Sequence, residues 1–361
     1  MESIARLMSE LPKDYEKDCF ERGAIMRKRG VSSPADLMML CMFHLQNGCS
    51  LLEISEVARI TKLGSMSDVA FMNRFEKCGD WFKTINEKLI SGGIVDYERP
   101  EWLEGKTVAS FDASDVSEKG RSGRVYRLHF ALDIFKMQSL EYKITDNKVG
   151  EGLANFEIKP EYLIIADRAY STIKNIKQCD KSGAEYILRL RKNSFTVRDE
   201  HGEKMNLNEI FASLKLDECA DISAFATNLD GDNIPVRICA KRKTPEAIAQ
   251  TEKKLRRKES KNQRKISDET KVFNEYIVLI TNVGESVSSE DILKAYRLRW
   301  QVEIYFKRLK SILDFGEMPK RRTNSVIAWL NGKLMIALLI EIVIAKFSFS
   351  PKENFGQERL A

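Results

Sequence analysis

Apolar residues in the first hundred positions recur with the three-to-four-residue spacing of amphipathic helices. Segments such as Pro34–Leu45 combine this spacing with few strand-forming residues. The stretch 50–77 predicts two helices joined near Gly64, with Ser67–Asp68 as the N-cap of the second helix. Such a helix-turn-helix pattern occurs both in DNA-binding domains and in ordinary helical bundles, and it favours neither. We expect residues 1–104 to form a helical domain that is a candidate for binding DNA ends.

The spacing changes to that of β-strands after Gly105. The predicted strands, in chain order, are Thr107–Asp112, Arg124–Phe135, Ser139–Asp146, Tyr162–Asp167 and Glu185–Arg191. Helices are predicted at 150–157 and at Ser171–Ser182, which gives a β-β-β-α-β-α-β order. The all-apolar run before Asp167 indicates a strand buried on both faces. The first and fourth predicted strands each end in an aspartate.

Residues 194–274 interrupt this order. The first part has short alternating strands, and the second, Lys241–Lys271, contains twelve Lys or Arg residues against five acids. Such a charge run is often a solvated helix or a linker, but beside a catalytic core a phosphate-binding arm is favoured. Strand Glu275–Asn282 then returns the chain to the core pattern, and Ser288–Asp291 can cap the next helix.

That next helix is predicted over Tyr296–Lys310. At about 100° per residue, four polar side chains fall within an arc of about 60°: Tyr296, Arg299, Glu303 and Lys310. An adjoining apolar stripe would face a core: Leu298, Val302, Phe306 and Leu309. Glu303 also has Lys307 four residues later, so an ordinary amphipathic helix with a surface ion pair remains open.

Composition and charge exclude several classes of protein. The chain has 361 residues, 43% hydrophobic and 31% charged, as in a soluble globular protein of two or three domains. A net charge of +6 and a pI of about 8.8 suit a polyanionic partner. The 7 cysteines include no CxxC pair and there are only 3 histidines, which argues against zinc ribbons, disulfide frameworks and histidine-based metal sites.

Neither end of the chain predicts a membrane segment. The N-terminus is acidic and polar, unlike a signal peptide. The longest apolar run, Leu334–Ala345, contains Glu341 and is too short to cross a bilayer, so we interpret Val326–Phe347 as a core helix. The basic cluster Lys320–Arg322 before it could contact DNA or solvent equally. We expect a cytoplasmic protein with no membrane partner.

The spacing Tyr296-x2-Arg299-x3-Glu303-x6-Lys310 resembles the Tyr-Arg-Glu-Lys signature of bacterial DDE transposases of the insertion-sequence-four type. This family places one aspartate at the end of each of two upstream strands, and the chain has both. The resemblance extends to Asp167-Arg168-x-Tyr170, to RLHFALD and to the Gly150–Glu151 pair. It covers residues 105–193 and 275–345.

The resemblance implies an α/β fold with a mixed sheet. A ribonuclease-H-like core would comprise residues 105–193 and 275–320, preceded by the helical domain. A β-rich and basic insertion, 194–274, would precede the helix of the catalytic glutamate. A C-terminal helix and tail would occupy 321–361.

The resemblance also implies the catalytic chemistry. Asp112, Asp167 and Glu303 would be the catalytic residues and would bind two Mg²⁺ ions, for which Mn²⁺ can substitute, with Asp112 bridging both. Three carboxylates suffice because Mg²⁺ prefers oxygen ligands and keeps several waters. Asp115 is a rival for Asp112. Other acids nearby are expected to be structural: Asp133, Glu141, Asp146 and Glu151.

Contacts to the phosphates of the transposon end are implied for Tyr296, Arg299 and Lys310, and we add Arg168 and Lys307 to this predicted set. In some relatives a tryptophan of the insertion stacks on a flipped base, but residues 194–274 contain no tryptophan. Four phenylalanines could substitute: Phe195, Phe211, Phe225 and Phe273.

The implied function is cut-and-paste DNA transposition. A homodimer would bind the terminal inverted repeats, hydrolyse the end phosphodiester and join the freed 3′-hydroxyl to target DNA, associated with the nucleoid while bound. Relatives excise through a hairpin intermediate. Two alternatives remain: a nuclease of the same fold without strand transfer, and a DNA-binding regulator that has lost catalysis. The three acids argue against the second alternative.

Overall fold

The structure is a computed structural model. It describes residues 2–46, 48–91, 99–118, 125–136, 138–215, 218–228, 231–304, 307, 317–318 and 322–346.

The helical domain begins with six helices, in the region predicted to be helical. They are α1 (Glu2–Met8), α2 (Tyr15–Glu21), α3 (Pro34–Gln46), α4 (Leu51–Ile60), α5 (Asp68–Phe75) and α6 (Gly79–Ser91). Ser50 and Glu53 form a capping box at the start of α4, and the Ser67 side chain accepts the Ala70 N–H at the start of α5. The caps therefore start both helices of the predicted helix-turn-helix pair.

The sheet holds the part of the chain predicted to form the ribonuclease-H-like core. Its ten described strands are β1 (Thr107–Glu118), β2 (Val125–Asp133), β3 (Gln138–Asp146), β4 (Tyr162–Ala166), β5 (Glu185–Arg189), β6 (Thr196–Arg198), β7 (Cys219–Thr227), β8 (Asn233–Arg242), β9 (Tyr276–Thr281) and β10 (Glu317–Met318). The order is β3-β2-β1-β4-β5-β9-β8-β7-β6, with β10 beside β1. The antiparallel β1–β3 and the parallel β4 and β5 match the predicted core, and the insertion strands extend the same sheet through β9.

Helices cover both faces of this sheet. They are α7 (Ile173–Ser182), α8 (Leu207–Ala212), α9 (Pro245–Asn262), α10 (Asp268–Phe273) and α11 (Ser289–Arg297), and a further helix, α12, is described at 300–304 and 307. The core that includes α7, α8 and α10 lies on one face, and the core that includes α11 lies on the other. The helix predicted at 150–157 is wrong in extent, because only a single 3-10 turn, Leu153–Asn155, forms there.

The last helix, α13 (Thr323–Lys346), packs on α6 and α3 and completes the core of the helical domain. By length and composition it could cross a membrane, yet 78% of its apolar window is buried inside the protein. The sequence assigned this helix to a separate C-terminal segment. Its apolar surface on nearly all sides is explained by the neighbours that surround it.

A buried polar network joins α6, β3 and α13. The Tyr142 hydroxyl donates to Oδ1 of Asn331 at 3.0 Å and accepts from Nδ2 of Asn86 at 3.1 Å. Nδ2 of Asn86 also donates to the Asn331 carbonyl at 3.0 Å. Burial raises the pKa of Tyr142 above its ordinary value, so the hydroxyl stays protonated and able to donate.

We expect Tyr142→Phe to lower the free energy of unfolding by about 1 to 2 kcal/mol, because it leaves the buried Asn331 oxygen without its donor. Urea unfolding followed by tryptophan fluorescence measures this change. Tyr126→Phe is the control, since the structure describes no hydrogen bond to the Tyr126 hydroxyl. Equal effects of the two substitutions would show that the network contributes nothing specific.

Candidate active site

Three neighbouring parallel strands place charged residues in one row across the sheet. The register aligns Phe111 of β1 with Ala166 of β4, and Ala166 with Leu188 of β5. The next residues along the three strands form the row: Asp112, Asp167 and Arg189. Two carboxylates and one guanidinium therefore lie where the parallel pairing ends.

The row also shares one face of the sheet. Side chains alternate between faces along a strand, so Asp112 lies on the face of Val108 and Asp167 on the face of Ile165. Val108 and Ile165 belong to the core that α11 covers. Arg189 lies on this face by the same alternation along β5. The three charged side chains thus point toward the side from which α11 and α12 approach.

Asp112 lies within β1 rather than at its end, because β1 continues to Glu118 against β2. Its Oδ1 accepts the Ala113 N–H at 2.8 Å. Burial raises the pKa of the Asp112 carboxyl to about 6; the Ala113 N–H opposes this rise and the nearby charge of Asp167 adds to it. The predicted strand end was wrong, but the parallel partner β4 does stop at this point.

Asp167 directly follows β4, as predicted. Its Oδ1 accepts the Ala169 N–H at 2.8 Å in the turn that leads to α7. Partial burial raises the pKa of Glu151, and the charge of Asp167 raises it further. Glu151, expected to be structural, is therefore a third carboxylate in the electrostatic neighbourhood of Asp112 and Asp167.

Asp115 does not lie beside Asp112 and Asp167, although its charge adds to the rise in the pKa of Glu151. It makes a forked ion pair with Arg127, at 2.7 Å to Nε and 3.2 Å to Nη2, on the exposed part of β1. By strand alternation it also points to the opposite face from Asp112. This pairing favours Asp112 over its rival.

The single predicted helix over Tyr296–Lys310 is wrong, because α11 ends at Arg297 and α12 begins at residue 300. Hydrogen bonds of the i to i−3 type tighten the chain here, including Arg299 N–H to the Tyr296 carbonyl at 3.1 Å. Packing explains the break. Tyr296 belongs to the core under α11, whereas Val302 belongs to the core of the helical domain.

The break still leaves Tyr296, Arg299 and Glu303 in contact. Arg299 forms an ion pair with Glu303, and its guanidinium lies 5.8 Å from the centre of the Tyr296 ring. Burial acts to lower the pKa of Arg299, but Tyr296 and Glu303 outweigh it and the pKa is raised. The charge of Asp167 adds to this rise, and Arg299 in turn acts to lower the pKa of Asp112. The charge of Arg299 therefore acts on both aspartates as well as on Glu303.

The predicted convergence of three acids is only partly visible. Asp112 and Asp167 lie together, whereas Glu303 is held by Arg299. In the described part of the chain, no group of three or more Asp, Glu, His or Cys residues is close enough to hold a metal ion. Lys307 is exposed on α12, and Lys310 lies outside the described residues. Joint metal binding by the three acids stays a prediction.

Two cations beside Arg168 were not singled out from the sequence. Arg168 donates to Oδ1 of Asn274 at 2.8 Å, and burial, followed by the charge of Arg189, lowers the pKa of Arg168 to about 10. Lys243 donates to the Asn274 carbonyl at 2.5 Å, and its pKa is lowered to about 8 by burial, then by Arg189 and Arg168. We call Arg168, Arg189 and Lys243 the cationic seam.

Several donors around this seam are buried without a hydrogen-bond partner among the described residues. They are Nε of Arg168, Nε of Arg189, Nε of Arg299 and the Tyr296 hydroxyl. Unpaired buried donors are costly in a folded protein and often mark a ligand site. Four donors and an excess of positive charge fit an anion such as a DNA phosphate. Arg189 joins this group because of the strand register, which cannot be read from a single sequence.

We expect the seam to make stability depend on pH. The folded-state pKa of Lys243 is about 8 against an ordinary 10.5, so between these values the unfolded chain binds more protons and stability rises with pH. Lys243→Met should lack this rise. Between about pH 7 and about pH 10, the free energy of unfolding of the wild-type protein should rise by about 1 to 2 kcal/mol relative to that of the variant. Urea unfolding of both proteins measures it, and parallel pH profiles would contradict the assignment.

The predicted base-stacking phenylalanines fare differently. The prediction is wrong for Phe211 and Phe273, because both side chains are buried in the core that includes α8 and α10 and cannot stack on a base. Phe195 and Phe225 are half-buried. Trp300, directly after Arg299, is a large aromatic side chain that is 59% exposed.

Comparison with known proteins identifies the family. The transposase DDE domain family matches residues 104–339, more than half of this chain. The chain belongs to that family. It is 25% identical over 355 residues to the transposase for insertion sequence element IS421 of Escherichia coli, covering 96% of this chain and 95% of that protein. It is also 26% identical over 240 residues to the transposase for IS231F of Bacillus thuringiensis subsp. israelensis, covering 61% of this chain and 50% of that protein.

Membership in the DDE transposase family confirms the family inferred from the Tyr296–Lys310 spacing. It also confirms the α/β fold with a ribonuclease-H-like core and the assignment of the chain to the transposases. Enzymes of this family use divalent metal ions and act on DNA. The row of Asp112 and Asp167, with Glu303 on α12, is the part of this chain that suits such chemistry.

Proposed function

We propose that this DDE transposase catalyses cut-and-paste transposition of an insertion sequence, with Asp112, Asp167 and Glu303 as its catalytic acids. The observation that supports this most directly is the register of β1 and β4, which sets Asp112 beside Asp167. The freed 3′-hydroxyl of the transposon end would then attack a phosphodiester of target DNA. While bound to DNA, the protein would be part of the nucleoid.

Asp112 and Asp167 fit a divalent cation. They offer hard oxygen ligands, and burial, with a smaller contribution from the charge of Asp167, raises the pKa of Asp112. A cation between the two carboxylates would favour their ionised forms. We propose two Mg²⁺ ions, with Mn²⁺ as a substitute. When bound, they would neutralise charge on the attacking and leaving oxygens of the phosphodiester.

For Glu303 to act as the third catalytic acid, its ion pair with Arg299 must break. Arg299 now neutralises Glu303 through their ion pair. A DNA phosphate next to Arg299 would compete for the guanidinium, since arginine forms forked contacts with phosphate. Release of Glu303 would then free its carboxylate to join Asp112 and Asp167. DNA binding and assembly of the three acids would in this way be coupled.

Contacts to the transposon end come from the face of α11, α12 and the cationic seam. Arg168 and Arg189 hold phosphate charge, and Tyr296 supplies its unpaired buried hydroxyl. Lys307 on α12 adds a further contact, as does Lys310, which lies outside the described residues, and Trp300 offers an exposed ring on which a base can stack. We further propose that α4 and α5 of residues 1–104 bind the terminal inverted repeat, and that two copies pair the ends.

The test uses the DNA that flanks this gene. A labelled duplex carrying the terminal inverted repeat is incubated with the protein, Mg²⁺ and a supercoiled plasmid. We expect nicks at the repeat end, joined products in the plasmid, and loss of both with EDTA. Nicks without joined products would support the nuclease alternative. Binding without cleavage in either Mg²⁺ or Mn²⁺ would overturn the catalytic proposal in favour of a regulator.

A further inference from the structure

The basic segment of the insertion is an ordered helix. Thr244 caps α9 by accepting the Ala247 N–H, and Pro245 occupies the first turn. Ile248, Thr251 and Leu255 recur with helical spacing and line a cleft against the segment that contains α10. One face of α9 is thus anchored to the sheet domain, and the helix is not a free linker.

The opposite face of α9 carries unneutralised positive charge. Its exposed cations that form no ion pair with another described residue are Lys253, Lys254, Arg257, Lys258 and Lys261. Two of the three acids on the helix do not offset them, because Glu252 pairs with Arg256 and Glu259 with Lys271 at the anchored cleft. The third acid, Glu246, lies in the first turn, so the exposed face from Lys253 onward keeps its positive charge.

Three of these cations form one row. Lys253, Arg257 and Lys261 are four residues apart and lie on one side of the helix. The row spans about 12 Å, a length over which duplex DNA presents about seven phosphate charges. Like charges at this spacing destabilise an isolated helix, so the arrangement is unfavourable without a polyanion.

α9 is connected to the candidate active site through Lys243 of the cationic seam. Nζ of Lys243 donates to Oγ1 of Thr251 on α9 at 3.0 Å, and Lys254 of the same helix joins Arg189 and Arg168 in lowering the pKa of Lys243. The cationic seam therefore continues from the row of Asp112 and Asp167 onto α9. A phosphate backbone that enters at the seam meets further positive charge in this direction.

We propose that the exposed face of α9 binds the sugar–phosphate backbone of duplex DNA without regard to its sequence. It extends the contacts of the seam away from the phosphodiester that is cut. The proposal rests on the proposed function for the DNA that occupies the active site, but it assigns a separate surface. If this face bound RNA or an acidic protein instead of duplex DNA, the proposal would be contradicted.

The experiment measures how DNA affinity depends on salt. Full-length protein is titrated onto a fluorescent duplex of random sequence, in EDTA, over a range of NaCl concentrations. The variant is Lys253→Gln/Arg257→Gln/Lys261→Gln. Loss of three phosphate contacts should reduce the slope of log affinity against log salt by about 2 to 3, and should weaken binding by about tenfold or more at moderate salt.

A matched control removes three exposed lysines that also form no ion pair with another described residue, Lys159→Gln/Lys174→Gln/Lys181→Gln. Both variants lose the same net charge, so a general charge effect would appear in both. Equal slopes for the two variants, or an α9 variant that binds like wild type, would overturn the proposal. Tighter binding of single-stranded RNA than of duplex DNA, abolished by the α9 changes, would also overturn it. Because EDTA prevents cleavage, the salt test and the nicking test can fail independently.

Discussion

Asp112→Asn is expected to abolish Mg²⁺-dependent nicking of the transposon end, with a rate at least about 10³-fold below wild type. Removing one ligand takes away several kcal/mol of charge stabilisation in the transition state, and each 1.36 kcal/mol is worth about tenfold in rate. The substitution keeps the size of the side chain and its acceptor for the Ala113 N–H. Single-turnover nicking of a labelled end duplex measures the loss.

The matched control is Asp115→Asn, three residues further along β1. It removes one carboxylate from the same strand and breaks a partly exposed pair with Arg127. Solvent screens such a pair, so its loss should cost on the order of 1 kcal/mol of stability. We expect near-wild-type nicking from this variant. Comparable losses in the two variants, with both still binding end DNA, would show that Asp112 has no special role. The same conclusion would hold if Mn²⁺ restored nicking to neither variant.

The elements of the core were predictable because their hydrophobic patterns differ in kind. The all-apolar β4 and the alternation at the start of β1 distinguish strands from the helical segments before residue 105. An aspartate after each run then located one side of the active site. Local patterns and a family resemblance sufficed for these features, since neither requires knowledge of how strands pair.

The remaining features depend on contacts between distant parts of the chain. Arg189 joins the site through the pairing of β5 with β4, and Lys243 joins it by lying near Arg168. Local sequence spacing carries no information about either contact. The break between α11 and α12 has the same origin. Tyr296 and Val302 are drawn to different cores, and this tertiary demand overrides the helical preference of the segment.

The C-terminal helix shows this limit most clearly, since nothing local to α13 reveals that it belongs with the first six helices. Gly332 marks the closest approach. A Cβ built there would lie 2.5 Å from Cδ1 of Leu45 on α3 and 3.2 Å from Cδ2 of Phe82 on α6. Leu45 and Phe82 are both fully buried, so neither can move aside without disturbing the core around it.

We therefore expect Gly332→Val to lower the free energy of unfolding by about 3 kcal/mol, because overpacking a dense core forces side chains off their preferred rotamers. Trp81 and Trp329, both buried in this core, report the transition by fluorescence during urea unfolding. The control is Asn324→Val, which places the same side chain at an exposed position of α13 and should change stability by less than about 0.5 kcal/mol. If Gly332→Val unfolds at the wild-type urea concentration, α13 does not pack between α3 and α6. Its apolar surface would then need a different partner, and the attachment of the helical domain to the catalytic sheet through Asn331 and Tyr142 would fail with it.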